Sequence, residues 1–327
     1  MAAQAKQPLT LDVLDLRHFQ SSDFDALLGE EVRIWAEKLH WDFRPSCDIV
    51  RRYLDLHALS GYALIEGRQP IGYSYYVHED HKVLIGDLFI SEPYRTVEAQ
   101  HQLLRHVVET AQNTPGVRRI EGQLMMLESG SVGSLYPAAQ LSIFERNFML
   151  VKGISSLRRD AFGGVPPGSI AFERWSEQQM EQAANLIARA YRTHVDSEIN
   201  DQYRSVSGAR RFLHNIVQYP GCGAFYAPAA VTALDRKTRE LCGISLTSLV
   251  RPDVGHITQI CVAPEWRGLG IGSELLWRSI QAFRDAGCGE VSLTVTAANI
   301  GAVRLYERAG FRTLRKFRAY VWENFGK

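Results

Sequence analysis

The sequence predicts an α/β protein built as two tandem copies of one domain. Three observations carry this. The stretch Asp87-Leu-Phe-Ile-Ser-Glu-Pro-Tyr-Arg95 aligns without a gap on Gln259-Ile-Cys-Val-Ala-Pro-Glu-Trp-Arg267. The helix expected after each continues in register, with Leu103, Leu104, Val108 and Ala111 matching Leu275, Leu276, Ile280 and Phe283 as one apolar face. Between the copies lies Gly163-Gly-Val-Pro-Pro-Gly168, a turn-rich joint. A chain of 327 residues is the length two domains of ordinary size need. The expected boundaries are therefore 1–162 and 169–327.

Taken in order, each half opens with a strand and an amphipathic helix, near 11–39 and 169–193. Pro70-Ile-Gly-Tyr-Ser-Tyr-Tyr-Val77 pairs with Leu241-Cys-Gly-Ile-Ser-Leu-Thr-Ser248, and both read as strands ahead of the strand that enters the turn. Tyr73, Tyr75 and Tyr76 make the first an aromatic strand, for which near-neutral charge favours packing over base stacking. After the turn and its helix, Ile143-Phe144-Glu-Arg-Asn-Phe148 resembles Leu305-Tyr306-Glu-Arg-Ala-Gly-Phe311, one residue shorter and with phenylalanine for tyrosine. Arg315-Lys-Phe-Arg318 alternates charge with aromatic and reads as an edge strand.

Net charge is +1 with 22% charged residues, which disfavours a nucleic-acid binder. The composition, 46% hydrophobic, supplies packed cores without any run of membrane-spanning length. Cys47, Cys222, Cys242, Cys261 and Cys288 are scattered and odd in number, so they read as reduced thiols and form neither a disulfide frame nor a metal site. With no apolar core for a signal peptide at the start, a cytoplasmic protein is expected.

The second copy holds the chemistry. Gly268, Gly270 and Gly272 follow an apolar strand and open an amphipathic helix. Glycines let the backbone approach a ligand closely, and a helix start offers unpaired N–H groups and a positive dipole end. That is a seat for a phosphorylated ligand. The spacing fits neither a nucleoside-triphosphate loop nor a dinucleotide-binding turn, and Pro264 breaks the strand before the glycines. The first copy has Thr96, Glu98 and Gln100 at these places, where side chains would fill the seat and Glu98 would repel an anion.

Downstream lies Thr294-Val-Thr-Ala-Ala-Asn299-Ile-Gly-Ala-Val-Arg-Leu-Tyr306-Glu-Arg-Ala-Gly310-Phe311. Together the two motifs, V-x-P-x-x-R-G-x-G-x-G and N-x-x-A-x-x-x-Y-E-x-x-G-F, resemble the GNAT acyltransferase superfamily in detail over residues 241–322. The resemblance implies two GNAT-like domains, each a mixed, mostly antiparallel twisted sheet flanked by helices, with a degenerate first copy. It implies acetyl-CoA, or another short acyl-CoA, as acyl donor. The diphosphate would be held by N–H groups of Gly268, Leu269, Gly270, Ile271, Gly272 and Ser273, helped by the Arg267 guanidinium and the Ser273 hydroxyl.

In this family the strand before the turn splays from its neighbour and pairs with the pantetheine arm. Ile260, Cys261 and Val262 match that stretch, and an N–H of Cys261 or Val262 would face the oxyanion. Tyr306 matches the general acid that protonates the departing thiolate, although a half-buried aromatic at a helix would look the same. Asn299 matches a coenzyme-binding residue and equally suits a helix N-cap. Cys261 reads as a small buried thiol, with no activating base beside it. For the general base, His256 stands where the histone acetyltransferase branch carries a glutamate, and an ordinary hydrogen-bonded histidine is the alternative. His194, Asp196, Glu198 and Asp201, with Tyr191 and Tyr203, fall where the family builds its acceptor side.

The expected activity is transfer of an acetyl group from acetyl-CoA to a primary amine of a small molecule or peptide, by direct attack and without a metal. The rival readings are a non-catalytic acyl-CoA sensor and a binding module with a vestigial coenzyme site. A tandem layout also occurs in the mycothiol synthase branch of the family.

Overall fold

A strand with one buried face and a helix with one apolar stripe must cover each other, and each copy of the repeat satisfies both in the same way. The structure is a computed structural model that describes residues 11–128, 132, 136–137, 140–164, 166–219 and 221–325. Two compact units form. One takes the described residues up to Ile34, Arg44–Ile143 and those from Phe317 on; the other takes Trp35–Phe43 and Phe144–Lys316.

The first unit contains β1 (Asp12–Asp15), the larger part of α1 (Asp25–Leu39), α2 (Arg44–Asp55), β2 (Gly61–Glu66), β3 (Gln69–Glu79), β4 (Lys82–Ile90), α3 (Val97–Gln112) and β5 (Arg119–Leu124). The pairs β1–β2, β2–β3 and β3–β4 are antiparallel, and β4–β5 is parallel. Leu103, Leu104, Val108 and Ala111 of α3 are fully buried on this sheet, the face the repeat predicts. Tyr73 is also fully buried and donates a 2.7 Å hydrogen bond to Glu31, so the aromatic strand is packing.

The second unit contains most of β6 (Leu141–Lys152), then β7 (Ile170–Arg174), α4 (Met180–Ala190), α5 (Asp196–Ile199), α6 (Val206–Gln218), β8 (Ala224–Phe225), β9 (Val231–Asp235), β10 (Leu241–Arg251), β11 (Val254–Val262), α7 (Ile271–Asp285), β12 (Glu290–Thr296) and α8 (Ile300–Arg308). The pairs β7–β9, β9–β10, β8–β10, β10–β11 and β12–β6 are antiparallel; β11–β12 is parallel. Leu275, Leu276, Ile280 and Phe283 of α7 are fully buried on one face of this sheet, while α4 and α6 cover the other. Each such side chain removed from water stabilises the unit by about 1.5–3 kcal/mol.

The compact units are not the contiguous halves 1–162 and 169–327. Arg146–Lys152 of β6 pair with β12, whereas Arg318–Glu323 of the last strand, β13 (Arg312–Glu323), pair with β5. Two sequence expectations change as a result. Ile143–Phe148 lies in β6 and is not a counterpart of α8: pairing with β12, Phe148 opposite Thr294, overrides the local likeness to Leu305–Phe311. Residues 315–318 do not begin an edge strand, because Phe317 and Ala319–Trp322 are almost wholly buried and the strand pairs with β5.

Candidate active site

The parallel ladder of β11 and β12 runs from Val254 opposite Glu290 to Ile257 opposite Leu293 and is registered no further. Beyond it, Gln259–Val262 pair with β10 alone, and Thr258 is the extra residue of a bulge between Leu246 and Thr247. A bulge bends its strand and strengthens its twist, which carries β11 away from β12. One side of this stretch is thereby left without a strand partner among the described residues. A cleft of about 600 Å³ opens there. Its lining includes Ile260, Cys261, Val262, Arg267, Gly268, Gly270, Ile271, Gly272, Ser273 and Asn299, so the structure gathers these expected residues in one place. The Leu269 side chain is not in the lining and is exposed.

Gly268 and Gly270 adopt φ +77° and +75°, left-handed values that a side chain resists. They cannot join a helix, so α7 starts at Ile271, with Gly270 as N-cap and no side chain capping its N–H groups. In the first unit the aligned segment is helical two positions sooner: α3 starts at Val97, and the Thr96 hydroxyl accepts the N–H of Ala99. Gln100, aligned on Gly272 and 2% exposed, donates to the Thr96 carbonyl at 3.1 Å and accepts the Glu128 N–H at 2.8 Å. The corresponding helix start is thus capped and plugged. Arg267 behaves alike in both copies: its Nε donates to Val262 O at 3.3 Å, as Arg95 Nε does to Ile90 O at 3.0 Å. Arg267 Nη2 also donates to Ala190 O at 2.7 Å, tying the glycine turn to the end of α4.

Tyr306 is buried in α8 and makes no hydrogen bond to a described residue. Burial, then the Asp196 carboxylate, pushes its phenol well above the usual range. Burial likewise pushes the Cys261 thiol up to about 12, so it is no thiolate at neutral pH. Asn299 is the N-cap of α8, its Oδ1 accepting the Ala302 N–H at 3.3 Å, and it also lines the cleft.

The structure does not bring His256 to the cleft. It is 5% exposed, its Nδ1 lies 2.9 Å from Ser292 Oγ, and its ring packs against Trp41 and Phe148. Desolvation holds it down to about 3, too weak a base to draw a proton from an amine. His194 lines the cleft instead. Its Nε2 is 3.1 Å from Asn299 Nδ2 and its Nδ1 is 3.1 Å from the Asp196 N–H. Two donors thus face a ring that, when neutral, has one lone pair to offer, and burial lowers its affinity for a second proton.

Behind it, Gln259 donates to the Tyr191 hydroxyl at 2.8 Å and accepts from Tyr203 at 3.3 Å, with the two tyrosine rings stacked 4.5 Å apart. Asp196 accepts from Thr296 and, at 3.3 Å, from Arg146 of β6. Arg146, Phe162, Trp266 and Arg308 are not singled out as site residues by the sequence, and Gly163 and Gly164 read there only as a joint. Of these, Trp266 and Arg308 lie inside recognised motifs, both at variable positions. Among the described residues no group of three or more His, Cys, Asp or Glu could hold a metal ion, and no helix is long and apolar enough to cross a membrane.

Residues 194–311 match the Acetyltransferase (GNAT) family. The N-alpha-acetyltransferase MAK3 of Arabidopsis thaliana is 43% identical over 68 residues, which is 20% of this chain and 36% of that protein. The chain therefore spans well under half the length of that curated relative. A mycothiol acetyltransferase of Cellulomonas flavigena is 26% identical over 277 residues, 78% of this chain and 72% of that protein. Among solved structures, a tandem GNAT protein from the clavulanic acid biosynthesis pathway superposes with a TM-score of 0.63 at 16% identity, over 96% of this chain and 98% of that one.

Proposed function

We propose that this chain, a member of the GNAT acetyltransferase family through residues 194–311, moves an acetyl group from acetyl-CoA to a primary amine, with the chemistry in the second unit. One observation carries the reading. The second unit joins a splayed strand to an uncapped helix start, while the first unit fills the same place with Thr96 and Gln100. The amine nitrogen attacks the thioester carbonyl carbon, and the N–H of Cys261 or Val262 holds the tetrahedral oxyanion. The nitrogen gives up its proton to His194, whose depressed basicity keeps it neutral and able to accept near pH 7. The C–S bond then breaks as Tyr306 protonates sulfur; its raised pKa keeps the phenol in the donor form at every physiological pH.

The acceptor is a small molecule or a peptide amino terminus. The mycothiol acetyltransferase match supports the small molecule, and the N-alpha-acetyltransferase match supports the peptide amine. The first unit serves as a structural or substrate-shaping domain, and the protein works in the cytoplasm. Acetyl-CoA consumption measured against a panel of primary amines tests the proposal. Tight CoA binding with no turnover on any of them would point to an acyl-CoA sensor instead.

A further inference from the structure

A carboxylate sits in the first turn of the helix that opens the glycine seat, although its side chain does not line the cleft. Glu274 is in the first turn of α7 and only 9% exposed, so it shares the helix start with any anion held at Gly268–Ser273. Two guanidinium groups cover it: Arg159 Nε lies 2.8 Å from Oε2 and Arg278 Nε 2.7 Å from Oε1. Arg159 turns its two terminal nitrogens to one short segment, Nη1 reaching Gly163 O at 3.0 Å and Nη2 reaching Gly164 O at 2.7 Å. That segment rests on the glycine turn. A Cβ on Gly164 would stand 2.9 Å from Gly270 Cα, and one on Gly270 would stand 2.9 Å from the Gly164 carbonyl carbon. Phe162, Gly163 and Gly164 all line the cleft, and Phe162 is anchored edge-on to Trp277 of α7 at 5.0 Å.

Resting on the reading of this cleft as an acetyl-CoA site, we infer that Arg159 is a positioning residue for the coenzyme. It screens Glu274, and it holds Gly163–Gly164 as a wall of the cleft. The physical requirement is electrostatic. An unscreened carboxylate in the first turn would compete with the diphosphate for the same N–H groups and dipole. Carbonyl oxygens left facing the seat would add to that repulsion, whereas a guanidinium fork takes up carbonyls and carboxylate together. The stretch that reads in sequence as a passive joint thereby becomes part of the binding site.

The test is a mutant cycle on the full chain, with CoA affinity measured by calorimetry and folding by thermal melt. Arg159→Gln should weaken CoA binding about tenfold, the scale of one lost charge-assisted interaction. KM for acetyl-CoA should rise with it while KM for the amine stays put. Adding Glu274→Gln should recover at least half of the loss on a logarithmic scale, which a purely structural role for Arg159 would not produce. Unchanged CoA affinity in Arg159→Gln, or a double variant as weak as the single one, overturns the inference. Should Arg159→Gln fail to fold, Arg159→Lys carries the test: it keeps the charge without the fork, and roughly threefold weaker binding is expected. Wild-type affinity in that variant overturns the idea equally. Wild-type protein that binds no CoA at all would instead remove the acetyl-CoA reading on which the inference stands.

Discussion

Gly272→Gln separates ligand binding from stability, because it transplants the plug of the first unit into the second. Gly272 lies in the first turn of α7 without a left-handed φ, and a Cβ there would meet only Val262 at an ordinary 3.6 Å. The fold should accept the side chain. Glutamine is a better helix former than glycine by about 0.5 kcal/mol, so the melting temperature should hold or rise by about a degree. Binding should move the other way. By the example of Gln100, the new amide would turn back on the carbonyl at position 268 and cover the N–H groups of the turn. Losing two hydrogen bonds to an ionised phosphate costs about 3–6 kcal/mol, which weakens CoA about a hundredfold or more. Calorimetric titration with CoA, paired with a melt, reads both numbers. CoA affinity within threefold of wild type in a fully folded variant would show that the helix start is not where the diphosphate sits. Gly270 is a poorer target, since a side chain there meets both φ +75° and the Gly164 backbone, confounding ligand loss with strain.

Other outcomes follow from the same geometry. Tyr306→Phe should lower kcat about a hundredfold with little change in KM for acetyl-CoA, and unchanged turnover across pH would remove the acid assignment. In the wild type, kcat/KM should rise as pH passes upward through the lowered pKa of His194, and it should not fall from phenol ionisation near pH ~10. His194→Gln should abolish the acid limb, whereas His256→Gln should leave it in place and cost about 2 kcal/mol of stability through lost packing on Trp41 and Phe148. Asp87, fully desolvated and hydrogen-bonded to Glu31, has its pKa raised, mainly by burial. A carboxyl whose folded-state pKa is raised gives stability at low pH that is lost as pH climbs through that value. Asp87→Asn should therefore raise the melting temperature by a few degrees at pH 8 and less at pH 5; equal shifts at both would exclude the ionisation.

What the sequence disclosed was local. The apolar faces at Leu103–Ala111 and Leu275–Phe283 could be read because a helix on a sheet imposes its own period, and the glycines could be read because left-handed φ has few tolerant residues. The exchange of strands stayed hidden because it depends on which edge each strand finds. Nothing in Leu141–Lys152 itself distinguishes pairing with β12 from ending the first copy. His256 illustrates the same gap. Its place ahead of the glycine motif is a one-dimensional fact, but its burial against Trp41 comes from residues 35–43, which join the second unit from far upstream. Gly163 and Gly164 were legible as a turn, while their rest on Gly270 is set by Arg159 and Glu274.

The splayed strand is not what makes a site, because both units have it. In the first, β4 and β5 are registered from Lys82 opposite Arg119 to Ile85 opposite Gly122, and Gly86 is the extra residue between Tyr75 and Tyr76. In the second, the ladder ends at Ile257 and the extra residue is Thr258, at the aligned positions. Even the arginine that staples turn to strand is present twice. The shared scaffold therefore supplies an opening without specifying its use. The units part at three aligned positions: Thr96, Glu98 and Gln100 let the helix begin early, cap itself and fill the gap, whereas Gly268, Gly270 and Gly272 delay it and leave its N–H groups bare. The proposed coenzyme seat rests on an unsatisfied helix start set beside a strand paired on one side only, and the fold guarantees only the second of these.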